Sequence, residues 1–207
     1  LRVSIYVDGF NLYYRGLRST DAKWLDIKKL AESVLAPTDQ VLSVKYFTAD
    51  VSPRGGDPDA PQRQKVYLRA LKTAPEVEII KGRFLSKTKK RPTVADPKQY
   101  VEVHDTEEKG SDVNLASHLL VDGFRRKYDL ALVLSQDTDL LEPIRMVKND
   151  LKLKIGVLWF DQSKPGRKFQ ENSDFIRHVD LARLRRCQFP NPVTTASSEK
   201  LFRPASW

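Results

Sequence analysis

Apolar positions along the chain alternate between two spacings. Residues 3–7 form a short β-branched and aromatic run ending at Asp8-Gly9, the pattern of a buried strand. Residues 27–35 take helical spacing and stop before Pro37. A second strand is expected at 41–48, then a loop at 51–61 with three prolines and two adjacent glycines. An amphipathic helix at 62–72 sets Val66, Leu68 and Leu71 among Lys and Arg, and a third strand follows at 76–84. The longest helical pattern is 111–127, and the wholly apolar run 130–134 reads as a strand buried on both faces. A helix at 140–149, a strand at 152–160 and a last helix at 175–186 complete the series. Strands alternating with helices predict an α/β fold, a parallel sheet with helices on both faces.

Two segments break this rhythm. Residues 85–104 read as a β-hairpin insertion, with Ser86 to Pro92 as a basic turn and Tyr100 to Val103 as strand. The stretch 187–207, with Pro190, Pro192 and Ser197-Ser198, reads as a poorly ordered tail. A single domain over 1–186 is expected, followed by that tail.

In parallel sheets, ligands bind beyond the carboxyl ends of the strands. Asp8 closes the first strand, and Asp137 and Asp139 follow the strand at 130–134 in Ser135-Gln136-Asp137-Thr138-Asp139. Asp112 sits in the first turn of the 111–127 helix, after Glu107-Glu108-Lys109-Gly110-Ser111. Gathered carboxylates repel unless a cation joins them, and an oxygen donor set suits Mg²⁺ or Mn²⁺. Each also has a plainer role. Asp8 suits a turn before Gly9, and Asp112 suits a helix start with Ser111 as N-cap. Asp139 suits a capping box with Glu142. Asp122, roughly 15 Å further along the helix from Asp112, reads as a solvated surface charge.

The segments Val7-Asp8-Gly9-Phe10-Asn11-Leu12, Glu108 to Ala116 and Leu134 to Leu140, in this order, resemble the NYN family of PIN-like nuclease domains, which includes the bacterial LabA-like proteins. The resemblance covers about residues 1–180. It implies a Rossmann-like sheet of five or so parallel strands, an acidic metal pocket and metal-dependent ribonuclease activity. By that resemblance Asp8, Asp112 and Asp137 are the metal ligands, Asp139 is the second acid of its turn, and Asn11 is the asparagine of the first motif. Gln136 departs from the Gly or Asn common there, and is expected to reach over the pocket.

Charge adds a partner. Lys plus Arg outnumber Asp plus Glu by 36 to 27, giving +9 and a pI near 9.6, which favours a polyanion. The expected partner is single-stranded RNA, with DNA as the alternative strand and homodimerisation left open. Lys87, Lys89, Lys90 and Arg91 of the hairpin, with Lys109, are the expected backbone contacts, and Tyr13 and Tyr14 a stacking platform. Cys187 is the single cysteine, so no intrachain disulfide or cysteine-based zinc site forms, and a cytoplasmic setting is expected. No apolar run reaches the roughly 20 residues of a membrane span, and no signal-peptide pattern opens the chain. His104, His118 and His178 match no zinc spacing, and His118 reads as structural or exposed. Neither GxSxG, GxxxxGK[ST] nor GxGxxG occurs. Two other classes stay open: a binding or regulatory protein with the same acidic pocket, and a metal-dependent enzyme acting on a small molecule.

Overall fold

The computed structural model describes residues 1–53 and 56–207. Arg54 and Gly55, inside the loop expected at 51–61, lie outside the described residues. Strands β1 (Arg2–Asp8), β2 (Gln40–Thr48) and β3 (Val77–Lys81) lead into an antiparallel hairpin, β4 (Arg83–Pro92) and β5 (Tyr100–Lys109). Then come β6 (Leu130–Leu134), β7 (Lys154–Trp159) and β8 (Phe175–His178). Strands β1, β2, β3, β6, β7 and β8 form one sheet, all parallel, in the order β3-β2-β1-β6-β7-β8. The chain therefore builds outward from β1, returns, and builds outward again from β6. The gap between β1 and β6 is the topological switch point.

Helices cover both faces. The short α1 (Gly9–Asn11) runs on as a π-helical segment, Leu12–Leu17, before α2 (Ile27–Glu32) and α3 (Ala60–Leu71). With the period of two in a strand, Val3, Ile5 and Val7 of β1 join a core with Leu30, Leu68 and Leu71 on that side. Tyr6 points the other way. It packs with Leu115 and Leu119 of α4 (Ser111–Phe124), Ile144 of α5 (Leu141–Asn149) and Phe169 of α6 (Arg167–Asn172). Asp8 has the parity of Tyr6, so β1 aims it toward the side of α4.

Four expectations change. Residues 175–178 form edge strand β8, not the start of a helix; helix α7 (Leu181–Arg186) begins only after Asp180 caps it. The Phe175 ring occupies the space a Cβ on Gly156 would need, so this edge is built by close packing and not by periodicity. The basic residues of the insertion lie within β4, which starts at Arg83, and the connection falls at 93–99. The tail is packed: β9 (Val193–Thr194) and β10 (Lys200–Leu201) pair, and Val193 and Leu201 enter the core. Trp24 meets Phe189 at 5.9 Å and Trp207 at 6.4 Å between ring centroids. Finally, Asp122 is buried at 3% exposure. It pairs with Lys45 of β2, accepts from Tyr6 Oη at 3.0 Å and lies 3.0 Å from Lys127 Nζ. His118 Nδ1 sits 3.1 Å from Lys45 Nζ, a structural place on the same helix.

Candidate metal centre

Val7 pairs with Leu134, so Asp8 and Ser135 stand level at the ends of β1 and β6. The Asp8 backbone is extended, and its Oδ1 caps α1 by accepting from Asn11 N at 2.9 Å. Its Oδ2 accepts from Ser135 Oγ at 3.0 Å, which ties the two strand ends together. Gly9 is required beside it, because a Cβ there would lie 2.7 Å from the Tyr46 ring.

Asp137 caps the 3₁₀ turn Thr138–Leu140, accepting from Asp139 N at 3.0 Å, while Ser135 Oγ takes the Asp137 N–H at 3.1 Å. The capping role read for Asp139 therefore belongs to Asp137, and Asp139 lies exposed in the turn that follows. The N-cap of α4 is Gly110, at φ 103°, and not Ser111. Ser111 gives both its N–H, at 3.2 Å, and its hydroxyl, at 2.8 Å, to Glu108 Oε1. That brings Asp112, in the first helical turn, over the switch point.

One carboxylate oxygen each from Asp8, Asp112 and Asp137 lies within 4.8 Å of the others. Asp139 is outside this group but adds its charge to Asp112. Burial, then the charges of Asp8, Asp137, Glu108 and Asp139, push the Asp112 carboxyl up to about 6. Burial also raises Asp8, against the hydrogen bonds from Asn11 and Ser135. Oxygens on opposite sides of an ion bound at 2.0–2.1 Å stand roughly 4 Å apart. Three oxygens on one such ion stand roughly 3–4 Å apart, so a modest inward turn of the side chains would let all three meet one cation, and the residues present fit a hard divalent ion.

Asn11 and Gln136 serve this frame. Asn11 Oδ1 accepts from Gln136 N at 3.0 Å, locking the first loop to the second. The Gln136 side chain does not reach over the pocket. It is buried, accepts from Phe160 N at 3.0 Å and donates to Asp161 at 2.8 Å. Tyr14, expected as part of a stacking platform, lines the acidic pocket, a space of about 330 Å³; sequence reading missed its other walls, Phe10, Arg15, Phe84 and Glu108. The Phe10 and Phe84 rings meet at 5.5 Å, so the base of the hairpin closes one side. Glu108 was visible as part of a motif, but its place on the wall follows from the pairing Phe84↔Glu108.

The basic residues behave differently from one another. Lys89 pairs with Asp105 and, at 2.7 Å, with Glu107; Lys109 pairs with Glu107 at 2.8 Å. Lys90 and Arg91 stand 4.0 Å from Glu102 and Asp105, and exposed Lys87 has no ion pair among the described residues. Tyr13 packs against the core, while Tyr14 is 49% exposed with its ring 5.4 Å from that of Tyr13. Among the described residues, no helix is long and apolar enough to cross a membrane.

A sequence profile described as the NYN domain matches residues 2–181. The chain is also similar to 6-hydroxy-3-succinoylpyridine 3-monooxygenase HspA of Pseudomonas putida (strain DSM 28022 / S16). The two are 29% identical over 242 aligned positions, which cover 100% of this chain and 75% of that protein. A solved structure of a protein of unknown function from Vibrio parahaemolyticus RIMD 2210633 superposes with a TM-score of 0.54 at 17% identity. It covers 87% of this chain and 93% of that one, a likeness of fold.

Proposed function

The chain belongs to the NYN domain family, and on that premise we propose that it is a cytoplasmic endoribonuclease that hydrolyses phosphodiester bonds of single-stranded RNA with Mg²⁺ or Mn²⁺. The observation that carries this reading is the convergence of Asp8, Asp112 and Asp137 within 4.8 Å at the switch point between β1 and β6. A divalent ion bound there would supply a water of lowered pKa and counter-charge for the phosphoryl oxygens. Asp8, Asp112 and Asp137 would hold it through carboxylate oxygens alone. Asp139, exposed beside the triad, orients the attacking water and takes its proton. Asn11 keeps its carbonyl on the Gln136 N–H, which leaves its amide N–H free to donate to a phosphate oxygen. Arg15, on the pocket wall and 3.4 Å from Asp161, would turn from that acid to balance the phosphate charge. The net +9 of the chain supports a polyanionic substrate.

The kinship to a monooxygenase supports a second reading, an enzyme acting on a small heteroaromatic compound, and an aromatic cavity beside the acidic pocket favours it. The donor set speaks for the first. All three ligands are carboxylates, whereas non-haem iron oxygenases use two histidines and one carboxylate.

The deciding experiment incubates labelled single-stranded RNA and DNA with the protein in Mn²⁺, Mg²⁺ or EDTA, alongside Asp137→Asn. RNA should be cut in metal only, and Asp137→Asn should bind it but leave it whole. Wild type that binds RNA and never cuts it in either metal would replace the nuclease reading with a binding one.

A further inference from the structure

Three spaces adjoin one another along one side of the molecule. The acidic pocket shares Phe10 and Tyr14 with a cavity of about 440 Å³. That cavity shares Val51 and Gln64 with a groove of about 410 Å³ along α3 and β3. The middle cavity is aromatic, with Tyr13, Tyr46, Tyr67 and Trp207 completing its walls. The Tyr67 and Trp207 rings meet edge to face at 5.6 Å, and Tyr46 and Tyr67 at 6.3 Å. Tyr67 gives its hydroxyl to Leu25 O at 2.9 Å, but the Tyr46 hydroxyl has no hydrogen-bond partner among the described residues. Arg18, Lys23 and Arg63 also line the space; Arg63 pairs with Asp57, while Arg18 and Lys23 have no ion pair among the described residues. The far groove adds Lys65 and Lys72, neither in an ion pair among the described residues.

Resting on the nuclease reading, we infer that the aromatic cavity holds one unstacked base of the RNA strand, next to the phosphodiester at the acidic triad. The occupant follows from the chemistry. Edge and face aromatic surfaces take a planar ring, the cations take the phosphates that flank that ring in a strand, and the volume admits a nucleoside. A neutral apolar ligand would leave Arg18 and Lys23 unused. The strand then continues over the Lys65 and Lys72 groove, which meets the cavity at Val51 and Gln64. This assigns base selection to Tyr46 of β2, Tyr67 of α3 and Trp207, together with Tyr13 and Tyr14 just after the first acidic motif.

The test uses binding in EDTA, so that it does not depend on cleavage. Fluorescently labelled single-stranded RNA pentamers are titrated by anisotropy, each with one base removed in turn. One position should weaken wild-type binding about tenfold when its base is missing, the size of one lost stacking contact. Ala60→Phe, which fills the cavity from the start of α3, should bind the intact strand as weakly as wild type binds that abasic strand, and should show no position effect. Ala60→Ser should behave as wild type. Ser52→Trp, on the exposed loop lining the same cavity, repeats the test if Ala60→Phe does not fold. Equal affinities at every abasic position, an unchanged profile in both filled variants, or no RNA binding at all would overturn the inference. A position effect in a protein that cuts no RNA in any metal would leave the base site standing and remove the nuclease reading. Cleavage without a position effect would do the reverse.

Discussion

The triad makes the folded protein carry a repulsion that a cation relieves, and Asp8→Asn exposes it. Asp8 is 5% exposed, and its two carboxylate neighbours approach within 4.8 Å. At that distance each neighbour repels it by about 3–4 kcal/mol at an effective dielectric constant of about 20. Asn keeps the shape and caps a helix about as well as Asp, so α1 retains its start. The substitution weakens the bonds from Asn11 N and Ser135 Oγ by about 1 kcal/mol each, since their acceptor is no longer charged. Solvent and loop adjustment already absorb much of the remaining repulsion in wild type. A net gain of about 2 kcal/mol is expected in EDTA at pH 7.5, raising Tm by roughly 4–8 °C for a domain of this size. Millimolar Mn²⁺ should then raise the wild-type Tm and leave Asp8→Asn unmoved, because ligand binding stabilises only a fold that binds it. Thermal melts followed by circular dichroism, with and without metal, read both effects. A variant that melts lower than wild type in EDTA, or that responds to Mn²⁺ as wild type does, would refute the reasoning.

Asp122→Ala should cost about 3–5 kcal/mol in urea unfolding, because it leaves Lys45 buried and unpaired. Burial would raise Asp122, but the bonds from Lys45 and Lys127 hold it below the usual aspartate range, so its contribution is complete above about pH 4 and fades as pH falls through its folded pKa; melts from pH 7 to 3 should show the loss absent from Asp122→Asn. Gly156→Ala should lower stability by about 1–3 kcal/mol despite the better strand residue, since the new methyl meets the Phe175 ring, and unchanged urea midpoints would contradict that packing. Replacing Lys87, Lys89, Lys90 and Arg91 together with Ala should flatten the salt dependence of RNA binding by less than the roughly 0.7 log units per contact that four free cations would give. Lys89 is already committed to Asp105 and Glu107, and a full four-contact change in a filter-binding titration would show those pairs open on RNA.

Local pattern was enough for the elements whose partners lie on both faces of a sheet. The apolar run of β6 and the β-branched run of β1 have one stable use in a chain of this length, between two layers of helices. Strand ends follow from strands, so the carboxylates of Asp8 and Asp137 were legible as neighbours of a binding edge. What lay beyond reach depended on contacts between distant segments. Residues 175–178 became a strand because an open edge and a bare Gly156 accept them, which no periodicity records. The terminal segment entered the core through Trp24, whose partners Phe189 and Trp207 stand more than 160 positions away. Asp122 went inside because Lys45 of β2 meets it, and a charge is read as solvated until its partner is known. Gln136 turned from the pocket to Phe160 and Asp161, where a buried N–H needed an acceptor. The sequence by itself determined which residues could carry the chemistry, because strand and helix periods place them at element ends. Only the tertiary structure decided which of them meet, because register, crossover and burial are properties of the packed chain and not of any one segment.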